Sequence, residues 1–191
     1  ASGGLREQLT KRGFVIPRVI RVGYQTDESA GDDINRYSAS VIKSLASDPV
    51  IARTAAAASV GPGTKLVDYL PRLVDEYPDD RLCLVFDQFE ELFTLDAADH
   101  ADKWAFLQDL GRALDNVEIW ALFAMREDFI AELDPFLSAI PTGLQTRFRL
   151  GLLGPKAAEE AALGPCNDVP GAAVEFDPEA AKQVVAELRK V

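Results

Sequence analysis

Residues 82–95, LCLVFDQFEELFTL, constrain this chain more than any other segment. An apolar run (Leu82, Cys83, Leu84, Val85, Phe86) stops at Asp87, and Glu90 and Glu91 follow. A strand with no polar alternation is buried on both faces, the condition of a parallel sheet covered by helices. Asp87 then falls at the carboxyl edge of that sheet, where open α/β folds bind ligands. Nucleoside-triphosphate hydrolases reach a magnesium ion through an acidic residue at that position. The complementary phosphate loop, G-x-x-x-x-G-K-S/T, has no match in these residues. Ala1-Ser2-Gly3-Gly4 lacks a lysine, and Gly61-Pro62-Gly63-Thr64-Lys65 has the wrong order and no strand before it.

A chain of 191 residues, 48% hydrophobic, suffices for one domain with a sizeable core, or one domain and a small appendage. Its net charge of −11 disfavours nucleic-acid binding through a basic face. Cys83 lies inside the apolar run and Cys166 in a Gly-Pro context, so no disulfide framework is expected. That usage fits a reducing, cytoplasmic setting. With His100 as the one histidine, a zinc site is not expected. Neither a signal peptide nor a membrane-spanning run is visible.

Along the chain, residues 5–13 read as the end of a helix and 14–22 as a strand. An acidic loop follows at 26–33. Ile34, Tyr37, Val41, Ile42 and Leu45 recur at helical spacing, and 55–63 read as a flexible connection. Leu66, Leu70, Leu73, Val74 and Tyr77 mark a helix interrupted by Pro71. Residues 99–115 form a helix with Trp104, Leu107, Leu110 and Leu114 on one face, capped by Asp99 or Asp102. A second buried strand is expected over 117–125, ending at Arg126. A helical stripe (Phe129, Leu133, Phe136, Leu137, Ile140) and a short strand at 146–150 complete this part. Alternating strands and helices imply an α/β layered domain with a parallel sheet over residues 1–154. Residues 155–191 read as the start of a helical lid: a short helix at 156–163, a loop at 164–176, and a helix opened by Asp177-Pro178-Glu179.

Asp87 reads as a magnesium ligand or its orienter, set against a turn aspartate that caps the next segment. Glu90, in preference to Glu91, would position or activate an attacking water, set against a solvated helical turn. Arg126 would sense the γ-phosphate or, equally, pair with Asp128 or Glu127. Arg147 and Arg149 share one side of their strand, and one of them could approach a nucleotide. Trp104 and Trp120 read as core or interface packing.

The string Val85-Phe86-Asp87-Gln88-Phe89-Glu90-Glu91-Leu92-Phe93 resembles the Walker B segment of the novel STAND NTPases, signal-transduction ATPases with numerous domains. Ala124-Met125-Arg126-Glu127-Asp128-Phe129 is similar to their sensor strand. Leu150 to Pro165, with Gly154-Pro155 and Glu159-Glu160-Ala161, is similar to the exit into their helical lid. The resemblance implies a P-loop fold of ASCE/AAA type, ATP and Mg2+ as cofactors, and nucleotide-controlled oligomerisation. It also implies attached effector and sensor domains, in proteins that are often bacterial and sometimes defensive. Asp87 would take the Walker B role, Glu90 the water-positioning role and Arg126 the sensor role, with Glu91 and Arg147 near the nucleotide. The family's P-loop strand and lysine would precede Leu5, so the chain reads as an excerpt that binds nucleotide weakly and self-associates through open strand edges. A nucleotide-free scaffold of the same fold is the alternative. A nucleic-acid motor is a third reading, against which the acidic balance weighs.

Overall fold

Residues 82–86 do form a buried strand, and the rest of the first unit is arranged about it. The computed structural model describes residues 5–23, 35–95, 99–168 and 177–188. It divides into two units, Ala1–Thr146 and Arg147–Val191. The acidic stretch 26–33 and Ile34 lie outside the described residues.

The first unit opens with α1 (Leu5–Thr10) and β1 (Phe14–Val15), then α2 (Arg36–Ala46), α3 (Ala55–Ala58) and α4 (Leu66–Asp75). β2 (Arg81–Phe86), α5 (Glu91–Thr94), α6 (His100–Asn116), β3 (Ile119–Phe123) and α7 (Ile130–Leu133) follow, with 3₁₀ turns on either side of α7. The result is a mixed α/β fold with a three-stranded sheet in the order β1-β2-β3, parallel throughout. Leu82, Leu84 and Phe86 of the central strand are at most 2% exposed. They join Leu45, Tyr69, Leu70, Leu73, Phe106 and Leu110 in one core.

The expected strand over 14–22 is much shorter, because Pro17 has no N–H for a ladder. The chain leaves the sheet there, and the Arg18 N–H donates instead to the buried Asp48 Oδ2 (2.7 Å). It returns at Ile20, which bridges to Phe86. The flexible connection expected at 55–63 instead begins with a helical turn, α3, whose alanines favour helix and whose Thr54 Oγ1 accepts from the Ala57 N–H at 3.2 Å. Nor does Pro71 break α4. Losing its hydrogen bond costs about 3 kcal/mol, but Leu66, Tyr69, Leu70 and Leu73 are fully buried on that helix and outweigh it. The α4 N-terminus has no cap of its own. Asp109 of α6 accepts there from the Leu66 and Val67 N–H groups (2.9 and 3.2 Å) and also from Ser38 Oγ of α2 (3.1 Å).

β3 also departs from expectation. Among the described residues it is an outer strand, paired on one side only, and its exposure alternates, with Trp120 62% and Leu122 43% exposed. The stripe at 129–140 is not one helix. Pro135 lies in the 3₁₀ turn Asp134–Ala139 that follows α7, although Leu133, Phe136 and Ile140 are still buried. That turn lies so close to α6 that a Cβ on Gly111 would strike the Ala139 carbonyl oxygen.

In the second unit residues 147–154 carry no strand. Phe148, Leu150 and Leu152 are each more than four-fifths exposed. α8 (Pro155–Asp168) runs further than the helix expected at 156–163 and takes in part of the expected loop. It packs against α9 (Pro178–Leu188). Asp177 caps α9 as its sequence implies, its Oδ1 accepting from the Glu179 N–H at 3.0 Å. Among the described residues no helix is long and apolar enough to cross a membrane.

Candidate functional site

The site is built where β2 ends. Phe86 and Phe89 are both fully buried; Phe86 stacks on Phe123 at a ring separation of 4.9 Å, and Phe89 meets the same ring edge-on at 4.8 Å. Asp87 lies between two anchored aromatics, so its backbone is fixed while its side chain is about half exposed (46%). The Asp87 N–H donates to the Ile20 carbonyl (2.9 Å), and the Phe89 N–H to the Ala124 carbonyl (2.9 Å). Gln88 makes the turn with φ at 51°, a left-handed conformation that costs a non-glycine residue roughly 1 kcal/mol or more. The Glu91 N–H closes that turn on the Gln88 carbonyl at 2.8 Å.

Because β2 and β3 are parallel, Asp87 and Arg126 emerge at the same sheet edge. Glu90 ties the two strand ends together: its Oε2 accepts from the Arg126 N–H at 3.3 Å. The Arg126 guanidinium donates to Asp128 Oδ2 at 2.6 Å and lies 5.6 Å from the Phe129 ring centre. The pairing with Asp128 weighed from the sequence is therefore present. Glu91 opens α5, half-buried, with the Gly23 backbone against its side chain. Arg147 belongs to the other unit, on the exposed segment before α8.

Sequence reasoning missed Arg21, whose guanidinium is 4.0 Å from Asp87 Oδ2. The break at Pro17 hides the return of Ile20 to the sheet, and with it the placement of Arg21. A charged residue directly after an apolar Val19-Ile20 pair was the available signal.

Among the described residues no group of three or more carboxylate, histidine or cysteine side chains is placed to hold a metal ion. Magnesium does not need one, since one or two carboxylates suffice when substrate phosphates and waters complete its shell. A half-exposed Asp87 at the strand end fits that requirement.

A family model, Novel STAND NTPase 1, matches residues 14–191. Neither a curated protein nor a solved structure matches the chain significantly. The match takes in the sheet, the carboxylates at its edge and the helices of the second unit, and the chain belongs to the Novel STAND NTPase 1 family.

Proposed function

We propose that this chain is part of the ATP-dependent switch domain of a multidomain signalling ATPase of the ASCE/AAA-type P-loop class. Nucleotide state would control oligomerisation and an attached effector, in the cytoplasm, with bacterial defence as one setting and residues 155–191 as the start of its lid. The observation that carries this reading is a half-exposed Asp87 ending the central strand of a parallel sheet, beside a Glu90 bonded to the end of the next strand. Membership of an NTPase family supports nucleotide and metal use in general.

On this reading Asp87 holds Mg2+, directly or through a water. Glu90 orients the attacking water and accepts its proton at the carboxylate. Arg126 would leave Asp128 to face the terminal phosphate, while Glu91 would contact the nucleotide. The bound Mg2+-ATP supplies the phosphoryl group and the charge neutralisation. Among the described residues β3 is paired on one side, and its open edge would take a P-loop strand. A second reading, an interaction scaffold that uses no nucleotide, is favoured by the exposed Phe148, Leu150 and Leu152.

Calorimetry with Mg2+-ATP separates the two. The expected result is weak binding by this chain, tight binding by a version extended upstream, and loss of magnesium-dependent hydrolysis on Asp87→Ala in that version. Absence of binding at either length would sink the switch reading and leave the scaffold.

A further inference from the structure

Arg21 is the most firmly mounted cation at this sheet edge, and the roles above do not use it. Its neighbours Ile20 and Val22 are 0% and 2% exposed. The Ile20 N–H donates to the Val85 carbonyl at 2.8 Å, and its carbonyl accepts from Asp87. The Arg21 carbonyl accepts from the buried Ser40 Oγ at 3.1 Å. Gly23 has no room for a Cβ against Leu95 and the Glu91 carboxylate. The backbone is thus held on both sides of Arg21, while its side chain is 54% exposed.

The two arginines at this edge differ in how their forks are used. Arg126 is closed on Asp128 at 2.6 Å. Arg21 meets Asp87 only at 4.0 Å, with both side chains about half exposed. Such a pair contributes about 0–1 kcal/mol, so an incoming anion displaces it at little cost. A planar guanidinium matches phosphate oxygens with two parallel hydrogen bonds.

We propose that Arg21 binds the anionic polyphosphate end of a ligand at the edge marked by Asp87. The proposal rests on reading this edge as a nucleotide site. Without ligand, Asp87 keeps the guanidinium at the rim. A phosphate oxygen then takes over the same N–H groups, and Asp87 is released for a cation. Arg21 is a binding residue and takes no part in proton or phosphoryl transfer.

The test uses the 191-residue chain at low salt, without metal, titrated with ATP and separately with tripolyphosphate and followed by phosphorus NMR line width. Arg21→Met should weaken both ligands at least fivefold, and Arg21→Lys should recover part of the loss. Arg18→Met, which removes the same charge three residues away, should stay within twofold. Unchanged melting temperatures establish that the variants are folded. ATP bound more tightly than tripolyphosphate assigns the anion to a nucleotide, and equal affinities assign it to polyphosphate alone. An Arg21→Met loss no larger than that of Arg18→Met overturns the proposal while leaving the nucleotide reading intact. Failure of the wild-type chain to bind either ligand at millimolar concentration also overturns the proposal, and leaves the nucleotide reading to be decided by the version extended upstream.

Discussion

β2 and β3 are both written as unbroken apolar runs, LCLVF and IWALF, and they have different surroundings. β2 has a strand on each side and is buried along almost its whole length. β3 has one neighbour among the described residues and turns Trp120 and Leu122 to solvent. An apolar run therefore specifies a strand, while its place in the sheet is decided by what pairs with it. On the proposed reading the difference matters for function because the two strand ends carry Asp87 and Arg126, one on a strand paired on both sides and one on a strand paired on one side among the described residues.

The sharpest way to break this comparison is a matched pair of truncations. Leu84→Ala, at a fully buried site on β2, should cost about 2–5 kcal/mol by the cavity it leaves. Leu122→Ala on β3 should cost about 1 kcal/mol or less. Urea unfolding measures both, and equal costs would mean that β3 is as well covered as β2. Next in size is Gly111→Ala, whose methyl group collides with the Ala139 carbonyl. It should cost about 1–3 kcal/mol and loosen the segment after β3, read as faster amide exchange at residues 134–140. Trp120→Thr should change stability by about 0.5–1.5 kcal/mol, since it loses mainly an edge contact with Phe14. It should also reduce self-association in sedimentation velocity. Unaltered association would place the contact elsewhere.

The smallest effect is expected at Tyr69, deep on the β2 side. Its hydroxyl is buried and has no hydrogen-bond partner among the described residues. Burial, with a lesser contribution from Tyr77, pushes its pKa up to about 12 from 10.0. The folded state then holds a proton that the unfolded chain releases. This contribution to stability is complete below pH 10 and is lost as the pH rises toward 12. Tyr69→Phe should leave neutral-pH stability unchanged or raise it by up to about 1 kcal/mol. It should also flatten the alkaline fall in stability. A clear loss at neutral pH would reveal a partner for the hydroxyl.

What could be read in the sequence was local. The run 82–86, the Asp99 cap on α6 and the Asp177-Pro178 start of α9 each depend on neighbours a few residues away, and the structure has all of them. What could not be read depends on distant partners. Asp109 caps a helix more than forty residues away. The outer position of β3 among the described residues is set by which strands lie alongside, which periodicity does not encode. At the site, a parallel β2 and β3 were enough to bring Asp87 and Arg126 to one edge. The link from Glu90 to the Arg126 backbone was not legible, and neither was the placement of Arg21 through Ile20.

That link has a consequence for the usual way of trapping ATPases. A glutamate substituted to stall water attack is treated as a chemical lesion alone, whereas Glu90, proposed for that role, is a fastener between two strand ends. Glutamine keeps an amide oxygen that can still accept the Arg126 N–H, whereas alanine leaves that N–H to solvent. The two substitutions are therefore different experiments. Agreement between them would assign their effect to chemistry, and a gap between them would measure how far the trap has also unbuckled the end of β3.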